Sequence, residues 1–444
     1  MPSLVAASSK GLAGRLRVPG DKSMSHRALI LGGLAIGKTD VRGLLEGADV
    51  LHTADAMRAL GATIHRRADG VWEVEGVGVG GLREAGRVID MGNSGTAVRL
   101  LMGLVATQDI TTMFTGDASL CRRPMERVMT PLRQMGTRFE ASQGGRLPLC
   151  VVGCGDALPI TYATPVPSAQ VKSAIMLAAL NTPGTTTVIE KEATRDHTER
   201  MLRHFGVAVE SAVGEDGITI SLTGPAELTA RDVVVPGDIS SAAFPIVAAL
   251  VTEGSDVTIE NVGMNALRTG IVTSLLEMGA DIAFLNEREE AGEPVADLRV
   301  RTSRLKGVDI PPERAPSMID EYPVLAVAAA FAEGTTRMTG LSELRVKESD
   351  RLMATAGMLH QAGVQVEEGE DWMAVTGGAV PGGGLVETFM DHRIAMSGLV
   401  LGLGSARGMT IDDDGMIDTS FPGFADLMTG MGAGIRPLSN RAAG

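Results

Sequence analysis

The sequence predicts an α/β protein built from six copies of one unit and divided between two domains. Two features of the chain point there: a recurring helix–glycine–strand pattern and a half-chain recurrence of Pro-Gly-Asp. Its length of 444 residues adds a third, because one ordinary hydrophobic core does not grow that large.

The pattern is an amphipathic stretch, a glycine, then a β-rich stretch. It ends at Gly61, Gly136, Gly206, Gly279, Gly363 and Gly432, with spacings of 75, 70, 73, 84 and 69 residues. Each glycine fits a helix C-terminus, where the chain turns through positive φ before entering a strand. A period near seventy holds more than a hairpin or a helix pair, so each copy is a mixed α/β unit. Val18-Pro19-Gly20-Asp21-Lys22-Ser23 recurs as Val235-Pro236-Gly237-Asp238-Ile239-Ser240. Both copies end a strand and open an apolar helix, with Ser23 and Ser240 expected as N-caps. The domains are therefore expected at 19–235, and at 1–18 together with 236–444, each holding three units.

Composition narrows the function. Hydrophobic residues make up 44% and charged residues 21%, as in globular chains. The net charge of -14 and an aromatic content of 3% argue against a nucleic-acid partner. No apolar stretch reaches the ~18 residues that span a bilayer, so no membrane partner is expected. The three cysteines, with no secretory signal, predict reduced thiols and a cytoplasmic protein. Cys150 and Cys154 lack a second Cys or His pair, so no metal is expected.

The chemistry is written at the starts of apolar helices. Lys22, Ser23 and Arg27 sit in the first turns of one, where free N–H groups and the helix dipole favour an anion. Gly95, in Gly92-Asn93-Ser94-Gly95-Thr96, would let a ligand approach the backbone closely. Arg122-Arg123-Pro124 offers planar guanidiniums for a carboxylate or phosphate, ahead of a proline expected to start a helix. Ser168-Ala169-Gln170 opens a further apolar helix. Thr194-Arg195-Asp196-His197 reads as another helix start, capped by Thr194 or Asp196. Asp320 lies at the mouth of an apolar run, where a carboxylate serves as a base or as an N-cap. Lys347 and Arg351 are four apart, with Glu348 between them, so a helix would put both cations on one face. Asp391-His392-Arg393 precedes another apolar helix. Most of these stand at matching phases of the repeat, which predicts a collective field for a substrate carrying several negative charges.

Four segments carry a closer likeness. They are Pro-Gly-Asp-Lys-Ser-x-Ser-His-Arg at 19–27, Gly-Asn-Ser-Gly-Thr at 92–96, Arg-Val-Lys-Glu-Ser-Asp-Arg at 345–351 and Asp-His-Arg-x-Ala-Met at 391–396. With them the chain resembles the 5-enolpyruvylshikimate-3-phosphate synthases over nearly its whole length, and within them the class II bacterial subgroup. The resemblance implies a two-domain inside-out α/β barrel of six βαβαββ units that closes over its substrates. It implies transfer of the enolpyruvyl group of phosphoenolpyruvate to the 5-hydroxyl of shikimate 3-phosphate, with no cofactor and no metal. It assigns shikimate 3-phosphate to Lys22, Ser23, Arg27, Ser168, Ala169, Gln170, Arg195, Asp320 and Lys347. It assigns phosphoenolpyruvate to Lys22, Gly95, Arg123, Gln170, Arg351 and Arg393. Asp320 would be the base, and Glu348 or Lys22 would protonate the methylene carbon. A monomer is expected.

The sequence departs from the family pattern where many members carry a Lys before a C-terminal Phe-Pro, because Thr419 stands there. That substitution, with Thr194-Arg195-Asp196-His197, resembles members tolerant of the inhibitor glyphosate. Gly95 points the other way, since tolerant members can carry Ala at that position. Two other functions fit less of the sequence. A UDP-N-acetylglucosamine enolpyruvyl transferase uses a loop Cys ahead of an Arg-Pro, and Cys121 lies too close to Arg123-Pro124. A non-catalytic phosphometabolite-binding protein would have no use for Asp320 and Glu348.

Overall fold

A computed structural model describes residues 4–215 and 217–438. The chain forms two compact units. One is contiguous, Gly20–Val235, with Glu289–Glu293 added. The other is split, running to Pro19, over Pro236–Arg288, and from Pro294 onward.

Each unit contains three four-stranded sheets of one design. In the contiguous unit, Ile89–Asp90 pairs parallel with Thr111–Thr115, which pairs antiparallel with Arg146–Val152, and Arg138–Ser142 closes the edge. Helix Gly95–Ala106 joins the first two strands and helix Glu126–Gln134 leads to the hairpin. The order is therefore βαβαββ. The other five sheets repeat the parallel first pair and antiparallel second pair. In the split unit one sheet is completed from far away: Leu4–Ala7 lies between Met409–Ile411 and Gly434–Pro437.

The two helices of each repeat differ in burial. The first helices are Lys22–Leu34, Gly95–Ala106 and Ala169–Ala179 in the contiguous unit. In the split unit they are Ile239–Val251, Tyr322–Ala330 and His392–Gly404. They are apolar nearly all round, and every residue of Tyr322–Ala330 is buried. A helix with no polar face belongs in a core, and the three of each unit form its centre with the sheets outside. The second helices are amphipathic and end at the six glycines of the repeat.

Those glycines adopt φ from 78° to 119°. At every one the glycine N–H bonds back three residues and the next N–H bonds back five, as in Gly206 to Arg203 and Val207 to Leu202. This is the Schellman arrangement, which satisfies the last carbonyls of the helix and turns the chain into the outer hairpin.

The expected N-caps are corrected. Asp21, not Ser23, accepts from Met24 N at 2.8 Å, and Asp238, not Ser240, accepts from Ser240 N at 2.9 Å. The serines already lie inside their helices, so the preceding aspartate is the residue whose oxygen reaches the free N–H groups.

An Ala Cβ at Gly206 would meet only Thr229 Oγ1, at 4.0 Å. Gly206→Ala therefore adds backbone strain without a clash. Its expected cost is about 1–2 kcal/mol, read as a lower urea midpoint with an unchanged slope.

Candidate active site

The residues singled out in the sequence form two sets, one in each unit. In the contiguous unit most of them decorate the N-termini of the three buried helices, while Arg123 follows the 3-10 helix Leu120–Arg122 and Arg195 lies in the loop before helix His197–His204. Lys22 opens the first, and its ammonium pairs with Asp49 in the first turn of helix Ala48–Ala59. Arg27 is one turn further on and is buried. Its Nε donates to Thr198 Oγ1 at 2.7 Å, Nη2 to Ser173 Oγ at 2.8 Å and Nη1 to the Ser23 carbonyl at 2.9 Å. Burial pulls Arg27 down to about 10, and the nearby charge of Arg195 adds to the fall while Glu199 and Asp21 oppose it. Arg27 and Arg195 are thus neighbouring like charges, an arrangement that suits a shared anion.

Gly95 opens the second helix, with Ser94 as its cap. A Cβ there would stand 3.1 Å from Arg99 Nη1 and 3.2 Å from Arg123 Nη1. Arg123 is steadied by Asn93 Oδ1 at 2.9 Å. Ser168 caps the third helix, so Ala169 and Gln170 form its first turn. Gln170 Oε1 accepts from Arg99 at 2.8 Å, and its amide donates to Thr96 at 3.0 Å. Arg99 was missed in the sequence, although its place one turn after Gly95 was a readable signal. It ties Gly95, Arg123 and Gln170 into one cluster. Burial, then Arg123 and Arg127, pull Arg99 down to about 10.

In the split unit the centre is Arg351, whose side chain is 1% exposed. It meets three carboxylates: Nε–Asp391 at 2.7 Å, Nη1–Asp320 at 3.0 Å and Nη2–Glu348 at 2.5 Å. Lys347 Nζ lies 3.4 Å from the same Asp320 oxygen. Arg393 Nη1 donates to the Asp320 carbonyl at 3.0 Å and stands 3.6 Å from the buried Glu321. The five predicted residues of this unit are therefore linked through Arg351 and Asp320. Burial is the largest single influence on the Glu348 and Asp391 carboxyls and pushes them up, but Arg351 and the other neighbouring groups together hold both below the usual carboxylate range. Burial, then Arg393 and Arg351, push His392 down to about 3, so it is neutral.

Four expectations change. Lys347 and Arg351 do not share a helix face: Lys347 follows the short 3-10 helix Ser342–Val346, and the next helix begins at Arg351 with Asp350 as its cap. They converge on Asp320 because the chain turns between them. Asp320 is not an N-cap. Glu321 occupies that position, while the Asp320 carboxylate is taken by Arg351 and Lys347. Asp196 sits at the cap position of helix His197–His204 but makes no capping bond, because its carboxylate takes Arg200 Nε at 2.8 Å; Thr194 bonds Glu190 instead. Pro124 precedes the N-cap Met125 and does not start the helix. Thr419 ends the 3-10 helix Ile417–Thr419, and its hydroxyl donates to the Met416 carbonyl at 2.6 Å.

The chain matches the family model described as EPSP synthase (3-phosphoshikimate 1-carboxyvinyltransferase) over residues 6–428. It belongs to the EPSP synthase family. A 3-phosphoshikimate 1-carboxyvinyltransferase of Paramagnetospirillum magneticum is 65% identical over 428 residues, covering 96% of each chain. One from Parvibaculum lavamentivorans is 61% identical, covering 97% of this chain and 96% of its own. The EPSP synthase structure from Acinetobacter baumannii superposes with a TM-score of 0.91 at 43% identity, covering 99% of this chain and all of that one. The enolpyruvyl transferase NikO from Streptomyces tendae shares the fold, with a TM-score of 0.78 at 18% identity and coverage of 98% and 99%. The inside-out α/β architecture is thus that of the family.

Removing Arg351 leaves Asp391, which is fully buried, without its cation. Arg351→Met is expected to cost about 3–5 kcal/mol at pH 7. In the native chain Asp391 titrates below its unfolded value, so its contribution is present above about pH 4 and lost below it. Without Arg351, burial alone raises the carboxyls, and protonation then favours the folded state. The deficit of the variant should shrink between pH 7 and pH 5 in urea titrations.

Proposed function

We infer that this chain transfers the enolpyruvyl group of phosphoenolpyruvate to the 5-hydroxyl of shikimate 3-phosphate and releases inorganic phosphate. The reading rests above all on Arg351 holding Asp320 and Glu348 at once. The reaction needs a base for the hydroxyl and an acid for the methylene carbon. Family membership and the relatives' shared name support the same conclusion.

Asp320 accepts the proton of the 5-hydroxyl, with Lys347 and Arg351 fixing its carboxylate. Glu348 supplies the proton to C3 of the enol. In the unliganded chain Arg351 keeps Glu348 ionised. The anionic groups of phosphoenolpyruvate compete for that guanidinium, and a buried carboxyl that loses its cation rises and takes up a proton. This favours Glu348 over Lys22 as the acid, and Lys22, paired with Asp49, serves in anion binding. Protonation of C3 builds positive character at C2, the hydroxyl oxygen bonds there, and a tetrahedral intermediate forms. Return of the C3 proton to Glu348 and rupture of the C2–O bond, with the departing phosphate taking the proton held by Asp320, complete the transfer. The cations screen the charge of both substrates throughout.

Arg27, Arg195, Lys22, Ser23, Ser168, Ala169, Gln170 and Lys347 bind shikimate 3-phosphate. Gly95, Arg123, Gln170, Lys22, Arg351 and Arg393 bind phosphoenolpyruvate. One chain supplies all of these groups, which supports a monomer, and the three cysteines, free of disulfides, support a cytoplasmic location.

Phosphate release from phosphoenolpyruvate with shikimate 3-phosphate, and none with UDP-N-acetylglucosamine, is the expected result; release only with the nucleotide sugar overturns the reading. Asp320→Ala and Glu348→Gln should each lower kcat by about 10²–10⁴ while shikimate 3-phosphate still binds. Gly95→Ala forces the Arg99 and Arg123 guanidiniums to yield by a few tenths of an ångström. Its expected cost of about 1 kcal/mol raises the KM for phosphoenolpyruvate about fivefold. Glyphosate inhibition should weaken by a larger factor, measured in the same phosphate-release assay.

A further inference from the structure

The loop between strand Gly184–Glu190 and helix His197–His204 carries Arg195, and one buried ammonium holds it at both ends and in the middle. Lys172, in the first turns of helix Ala169–Ala179, is 1% exposed. Its Nζ lies 2.8 Å from Glu190 Oε2, at the strand end, and 2.8 Å from Glu199 Oε1, in the first turn of the next helix. It also donates to the Thr194 carbonyl at 3.2 Å, one residue before Arg195. Three partners use the three N–H bonds of an ammonium. The Thr194 hydroxyl closes the ring by donating to Glu190 Oε1 at 2.5 Å.

The neighbouring residue extends the bracket to the other arginine. Ser173 Oγ lies 2.7 Å from Thr198 Oγ1, and both hydroxyls accept from Arg27. Two carboxylates against one ammonium leave an excess negative charge under a pair of arginines, and Glu199 is the largest charge that favours the ionised form of Arg27. We propose that Lys172 is a positioning residue for the substrate phosphate: it fixes the 191–196 loop so that Arg195 is held beside Arg27 before the substrate arrives. This rests on the reading that Arg27 and Arg195 bind shikimate 3-phosphate.

The test uses the full chain and shikimate 3-phosphate itself, with Kd from titration calorimetry and the KM for phosphoenolpyruvate at saturating shikimate 3-phosphate. Lys172→Met should raise the Kd for shikimate 3-phosphate about tenfold or more, since a loosened loop misplaces its arginine. The KM for phosphoenolpyruvate should change less than about twofold, because the anchored 191–196 loop carries none of its groups. In an Arg195→Ala background, Lys172→Met should add little further loss. Thr194→Val keeps the buried ion pairs and removes only the hydroxyl bond, so it serves if Lys172→Met does not fold; about a threefold rise in Kd is expected, again lost in the Arg195→Ala background. Equal effects on both substrates, or full additivity with Arg195→Ala, would reduce Lys172 to a structural ion pair and overturn the proposal. An unchanged Kd in Arg195→Ala alone would instead sink the assignment of Arg195.

Discussion

Six helices of this chain have no polar side to offer water, and that constraint organises everything else. A helix buried along its length can be reached only at its ends, and its N-terminal N–H groups still need partners. In each unit three such helices pack together, so their free ends carry most of the polar chemistry. Lys22, Gly95 and Ala169 begin the helices of the contiguous unit, and His392 begins one in the split unit. The sheets outside supply the walls that make this burial possible.

On that shared plan the two units differ in charge. The contiguous unit gathers guanidiniums close to one another, and burial, with that mutual charge, pulls Arg27 and Arg99 both down to about 10. The split unit surrounds one guanidinium with three carboxylates and holds Glu348 and Asp391 ionised. The first is fitted to receive anions, the second to move protons. Gly95 belongs to the first design: the missing Cβ leaves room where two arginines crowd the backbone.

Much of this could be read in the sequence, because it was carried by spacing. The six glycines marked real helix ends, since positive φ is costly for other residues. The starts of the apolar helices and the motif segments singled out Asp320, Glu348 and the arginines as the residues to watch. What escaped was set by tertiary packing. Nothing in the spacing of residues 320, 348, 351 and 391 says that three carboxylates share one guanidinium. The cap at Asp21 lies two residues before the serine that propensity favoured. Lys172 drew no expectation from the sequence, because its carboxylate partners are 18 and 27 positions away.

The strand Leu4–Ala7 has a consequence for synthesis on the ribosome. It occupies an inner position between Met409–Ile411 and Gly434–Pro437, so a segment made before the contiguous unit waits for strands made long after it. The contiguous unit has no such debt, and its strands are all complete once residue 235 has emerged, apart from the short Glu289–Glu293 addition. Domains generally fold as units during translation, N-terminal first. Here the second unit must keep its opening strand unpaired while the whole first unit forms beside it, so the exposed edge is a natural client for a chaperone until the C-terminal hairpin arrives.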